Sequence, residues 1–155
     1  MTTSIKIAYL AALLVWVGQV ITFSFLVAPA LFAALPTTAA GDAVGAIFPR
    51  YYGVSYVCGL TLLTICGLLY REAGHTRWWK INTVLFSLML SATCYAGLVV
   101  YPRTVELRPQ IRATDAPAEV RAEFGRLHAV AVGLNGVVLV CGLGAVLVTA
   151  GRLRW

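Results

Sequence analysis

The chain has little charge, and its long hydrophobic runs have almost none. Charged residues make up 12% of its 155 positions, where a soluble domain carries about 25%. So short a chain with so few charges cannot cover a globular core with polar surface, so lipid must solvate most of its exterior. Acidic residues are missing from the apolar runs, which argues against a simple carboxylate-driven proton pump. There is no H-E-x-x-H, no phosphate loop and no nucleophile-base-acid set, so an enzyme is not the expected reading. No C-x-x-C occurs. Cys58, Cys66, Cys94 and Cys141 each lie inside an apolar run, where a free thiol behaves as a small hydrophobe and says nothing of redox compartment. Histidine is scarce too: His75 and His128 fall in turns on opposite sides of the membrane. One chain therefore cannot give one haem both axial ligands, and a haem oxidoreductase stands only as a second alternative.

What the sequence does have is 60% hydrophobic residues and a net charge of +6. The basic residues sit at segment ends rather than on one face, where snorkelling and lipid headgroups place them. Nucleic acid is thus not an expected partner. The expected fold is all-α, an integral membrane four-helix bundle of up-down topology forming one transmembrane domain over 1–155. The spans are expected at about 5–35, 50–70, 77–101 and 127–150, with a short lead-in helix before the fourth. The first apolar run is too long for the core of a cleavable signal. Pro29 is expected to kink the first helix by freeing the carbonyl of Phe25, with Ser24 re-satisfying it. Pro36 to Gly41 reads as a loop, Asp42 as the cap of a short turn, and Pro49 as the first turn of the second span. Arg71 to Thr76 reads as a polar turn. Pro102 is expected to end the third span, and 103–115 to form the one long loop. Thr114 or Asp115 would cap the last helix, whose lead-in is apolar at Val120, Phe124 and Leu127. No internal repeat is visible. Gly53, Gly59, Gly67, Ala129, Gly133, Gly136, Gly142 and Gly144 would allow close helix approach.

Lys6, Arg71, Arg77, Lys80, Arg152 and Arg154 lie on one side; Arg50, Arg103, Arg108, Arg112, Arg121 and Arg126 lie on the other. The count is balanced. The tighter clustering of the first set, with Trp78, Trp79 and Trp155 as an interfacial belt, favours cytoplasmic termini in a bacterial inner membrane.

From the outer side, at about 1.5 Å per residue, Cys58, Cys94 and Asn135 fall in one layer, with Met89 and Cys141 in a deeper one. Arg50, Arg103 and His128 form a mouth above them. An intramembrane His can carry a proton, bind a metal or sit at the interface. Sulfur ligands prefer Cu(I) and similar soft ions, so His128, Cys58, Cys94 and Met89 are candidate metal ligands; small-residue packing explains the cysteines and Met89 equally. Asn135 would bridge helices or line a site. Arg50 and Arg103 would bind lipid phosphate, guard an anionic solute, or pair with Asp42 or Glu106. Gln19 and Asn82 would form a separate polar pair.

Several segments, in order, are family-like: Trp16-Val-Gly18, Val27-Ala-Pro-Ala-Leu-Phe32, Gly45-Ala-Ile-Phe-Pro-Arg-Tyr-Tyr52, Tyr101-Pro-Arg-Thr104, and Phe124-Gly-Arg-Leu-His128 followed by Asn135. The set resembles the transmembrane-protein-205-like family, known in bacteria as domain of unknown function 4149. Its positions carried over are Pro49, Arg50, Pro102, Arg103, Phe124, His128 and Asn135, with Pro29, Pro49, Pro102 and Phe124 as structural residues. The resemblance implies a four-helix membrane protein with no established enzymatic activity and, through its animal members, a soft-metal connection. The family is distantly similar to copper-resistance D proteins and to the bacterial four-helix protoporphyrinogen oxidase. Those carry a histidine in the first helix; here the first segment has Tyr9 and no His.

The functional expectation is a small membrane protein that binds or moves a soft transition metal such as copper, or a small solute, through the polar mouth. The alternative is an accessory subunit of a larger membrane complex. Lipid and either a second copy or a complex partner are the expected surroundings.

Overall fold

A computed structural model describes residues 3–72, 77–113 and 115–151. Four helices make up nearly all of it: α1 Thr3–Ala34, α2 Thr37–Glu72, α3 Arg77–Arg112 and α4 Ala118–Ala150. Among the described residues there is no strand. Each helix is long and apolar enough to cross a membrane. Each packs against its sequence neighbours, and α4 closes on α1, giving an up-down four-helix bundle. Trp16, Leu62, Cys66, Phe86, Met89 and Ala145 are buried at its centre.

The helices run to 32–36 residues. At about 1.5 Å per residue that is roughly 50 Å, against a hydrocarbon core of about 30 Å. The ion pairs lie where α1 meets α2 and α3 meets α4, here called the mouth end. There Arg112 pairs with Asp42 on α2. Arg103 pairs with Glu106 at 3.0 Å and with Glu123 on α4 at 2.8 Å. His75 and the rest of the polar turn past Glu72, Thr114, Arg152, Arg154 and Trp155 lie outside the described residues.

Pro49 and Pro102 do not bound helices where the sequence suggests they should. Pro49 lies inside α2, which starts at Thr37 and absorbs most of the expected loop and the Asp42 turn. Proline removes the bond to the carbonyl four residues back, which is that of Gly45. The hydroxyl of Tyr101 donates to that carbonyl at 3.0 Å, so the helix runs on with its acceptor satisfied. Pro29 and Pro102 each follow a π-helical turn, Phe23–Val27 in α1 and Ala96–Val100 in α3. Ala28 N–H donates to the Phe23 carbonyl and Tyr101 N–H to that of Ala96. The wider turn carries the chain into the proline, which then starts a fresh α-helical stretch. Hence α3 passes Pro102 and Pro109 to reach Arg112, and the expected long loop is mostly helix. Ser24 does not repair the Pro29 gap. Pro117, with no side-chain cap, opens α4 in place of Asp115, and the lead-in is continuous with the span.

The structure also shows a repeat that the residues hide. Features of the hairpin α1–α2 recur at matching positions in α3–α4. The π turns and their prolines correspond. Buried Tyr9, Leu13, Trp16 and Val20 of α1 correspond to Asn82, Phe86, Met89 and Thr93 of α3, and Ser55, Gly59, Leu62 and Cys66 of α2 to Val138, Gly142, Ala145 and Thr149 of α4. Gly59 abuts Trp16 and Leu90, while Gly142 abuts Met89 and Val17. These are the same contacts with the halves exchanged.

Candidate functional site

Two polar networks tie the helices together. At the terminal end, Tyr9 and Thr149 share a hydrogen bond of 2.9 Å, and Asn82 Nδ2 donates to Tyr9 at 3.0 Å. Trp79 packs edge-on against Tyr9; it is buried core rather than part of an interfacial belt. Asn82 thus bonds with Tyr9 and Thr149, not with Gln19. Its Oδ1 is buried without a partner.

The second network lies beside the π turn of α1. Gln19 Nε2 donates to Ser55 Oγ at 2.5 Å, and Ser55 Oγ donates to the Tyr51 carbonyl at 2.9 Å. The Tyr51 hydroxyl donates to Asn135 Oδ1 at 2.7 Å, and Asn135 Nδ2 donates to Ser24 Oγ at 2.7 Å. Asn135 therefore joins α4 to both α1 and α2. In low dielectric each bond forms because the alternative is an unpaired polar group in hydrocarbon. An amide offers two N–H donors and two lone pairs; Asn135 uses one of each among the described residues.

Around this network the two sides of the mouth end differ. On the α2–α3 side, Phe48 stacks on Tyr52 at 5.6 Å and Tyr52 on Tyr56 at 6.4 Å. Tyr101 closes on both Phe48 and Tyr52, and Tyr52 and Tyr56 press on Gly97 in the π turn. On the α1–α4 side no residue from Ile21 to Ala34 or from Ala118 to Val137 is buried. This leaves a seam between α1 and α4 that faces the surroundings, with Phe23 and Tyr51 in contact beside it and Asn135–Ser24 bridging its base.

His128 lies seven residues before Asn135, two helical turns along the same face of α4. It is exposed and lies on the mouth-end side of Asn135 along α4. Arg103 is on the same end of the bundle but is held by two carboxylates, so the Glu106 pairing is observed. Arg50 is exposed; its guanidinium reaches only the Ala46 carbonyl of its own helix. Neither arginine hydrogen-bonds His128 among the described residues. Cys58 and Met89 are buried, while Cys94 and Cys141 are half-buried. Among the described residues no three His, Cys, Asp or Glu side chains come together as an ion site. The residues the sequence did not single out as a set are Tyr51, Ser24 and Ser55. Their signal was present: Ser24 and Ser55 are hydroxyls inside otherwise apolar runs.

Four apolar helices in an up-down bundle, cross-linked by buried hydrogen bonds, define an integral membrane protein. Residues 11–113 match the family described as Domain of unknown function (DUF4149), and the chain belongs to that family. That match spans α1 to α3; His128 and Asn135 lie beyond it. The chain is also similar to an uncharacterized protein of Aquifex aeolicus (strain VF5), 32% identical over 139 residues, which is 90% of this chain and 92% of the relative. No solved structure matches.

Proposed function

We propose that the protein binds a small solute that reaches it from the bilayer through the seam between α1 and α4, with His128 at the entrance and Asn135 at the base. The observation behind this is the contrast between two sides of one bundle. The α2–α3 side is filled by rings, while the α1–α4 side holds a half-used amide and no buried residue at the mouth end. Polar groups inside a membrane most often mark a ligand path or site, and π turns recur at such sites. The test is extraction of small molecules from protein purified in native-lipid discs. A single species near one per chain is expected in the wild type, and it should fall away in Asn135→Leu while helicity is kept. Equal retention by both proteins, or no retained species, overturns the reading.

The soft-metal form of this reading, with His128, Cys58, Cys94 and Met89 as copper ligands, draws on the resemblance to soft-metal families. The geometry supports it less: Cys58 and Met89 are buried while His128 is exposed, and among the described residues no three His, Cys, Asp or Glu side chains come together. A second reading, an accessory subunit of a membrane complex, is favoured by one observation. Gly125, Gly133 and Gly136 of α4 have open space around them, as a close-packed partner helix requires. Gentle solubilisation from native membrane separates the two: a stable partner supports the subunit reading, and a lone chain with bound solute supports the first.

A further inference from the structure

The repeat lets one seam be read against the other. The α2–α3 seam corresponds to the α4–α1 seam, because exchanging the hairpins turns Gly97 against Tyr52 into Ser24 against Asn135. By the same correspondence Phe48 matches Ala131, Tyr56 matches Leu139, Tyr101 matches Ala28, and Gly45 matches His128. One seam therefore holds four aromatic side chains where the other holds Ala131, Asn135, Leu139 and Ala28, while Phe23 and Tyr51 beside the open seam match Ala96 and Leu134. Close packing is the rule in protein interiors, and a region lacking those rings loses their contacts unless something else supplies them. The polar atoms differ too. In the filled seam the Tyr101 hydroxyl is spent on the Gly45 carbonyl. In the open one, Asn135 keeps a donor and a lone pair, and His128 replaces Gly45.

We infer that the ligand of the α1–α4 seam is a lipid-soluble ring compound bearing a carbonyl or hydroxyl oxygen, seated where the other half of the bundle places its own aromatic rings. The inference rests on the solute-binding reading and names its class. The ring lies against Phe23 and Tyr51, which already pack at 5.3 Å, in the offset or edge-on arrangements aromatic groups prefer. Its oxygen meets the spare Asn135 amide group. Its tail, if it has one, leaves through the exposed mouth-end faces of α1 and α4 into the acyl chains.

The probes are a decyl-substituted benzoquinone and, as a ring-free control of equal tail length, decanol. Binding to the folded state raises Tm. The quinone is expected to raise the Tm of the wild-type protein in lipid discs by several degrees and decanol to leave it unchanged. Ala131→Phe puts into the open seam the residue found at the matching place in the filled one. It should abolish the quinone shift while holding or raising the basal Tm. Ala28→Phe, on the opposite wall, is the second variant should Ala131→Phe not fold. An equal response to decanol, or a quinone shift surviving both variants, overturns the ring class. Solute binding itself would still stand if Asn135→Leu loses a co-purified species. No shift with either probe overturns the ring class as well, and the extraction experiment then decides the broader reading separately.

Discussion

The hydroxyl of Tyr101 donates to the Gly45 carbonyl at 3.0 Å, and that carbonyl is free because Pro49, one turn on, has no N–H to offer it. Tyr101→Phe should therefore destabilise the protein by about 1–3 kcal/mol, the range for stranding a buried acceptor. In a Pro49→Ala background the same change should matter much less, since an alanine at that position would supply the missing helical bond. A double-mutant cycle on Tm or denaturant midpoint in detergent checks this; equal effects in both backgrounds would refute it.

Gly59 and Gly142 hold the halves at close approach. A Cβ at Gly59 would come within 2.9 Å of Trp16 and Leu90, and one at Gly142 within 2.8 Å of Val17. Overpacking of this kind costs about 1–3 kcal/mol. Gly59→Ala and Gly142→Ala should each lower Tm clearly, whereas Gly133→Ala, with open space around it, should not. Trp16→Phe should partly rescue Gly59→Ala.

Within the terminal-end network the three members are not equal. Tyr9 and Thr149 bond directly at 2.9 Å, so they keep a partner without Asn82. Asn82 also carries an orphaned Oδ1. Replacing it with a similar-sized apolar residue removes that liability, so Asn82→Leu should be near neutral. Tyr9→Phe removes the shorter bond of each of the other two groups, leaving only the longer Asn82–Thr149 contact, and should cost about 0.6–1.7 kcal/mol, from the average to the maximum for hydrogen bonds between membrane helices. The ranking of the two variants by thermal unfolding is the check; the reverse order would show that Asn82 organises the cluster.

Arg103 is matched by Glu106 and Glu123 in an exposed setting. Such pairs are screened and contribute little. Arg103→Gln should shift Tm slightly at low salt and not at molar salt. It should leave solute retention unchanged, because the guanidinium is held by Glu106 and Glu123 rather than by Asn135 or Ser24. Loss of the retained solute in Arg103→Gln would put Arg103 at the site after all.

Much of the architecture could be read from the residues. Long apolar runs and end-placed charges gave four spans, and Asn135 and His128 stood out as expensive polar groups. The prolines misled because their local rule is to break helices. Whether they do depends on a distant acceptor's partner, as Tyr101 is for Gly45, or on a π turn that single-residue propensities do not reveal. The repeat was hidden because packing equivalence does not need chemical likeness. Trp16 answers to Met89, Ser24 to Gly97, and Tyr9 to Asn82, and the connection within one hairpin differs in length from that within the other. The Gln19 pairing was misassigned because depth along a helix does not say which neighbour a side chain faces.

The π turns have a bearing on any helical projection of this chain. Each inserts one residue, so the stretch beyond it is turned by about 100° relative to an uninterrupted helix. A wheel drawn straight through Phe23–Val27 or Ala96–Val100 assigns Pro29, Phe32, Arg103 and Leu107 to the wrong azimuth. Because both turns sit at matching heights, the error is identical in the two hairpins, and a comparison of one with the other stays in phase even where each drawn alone does not.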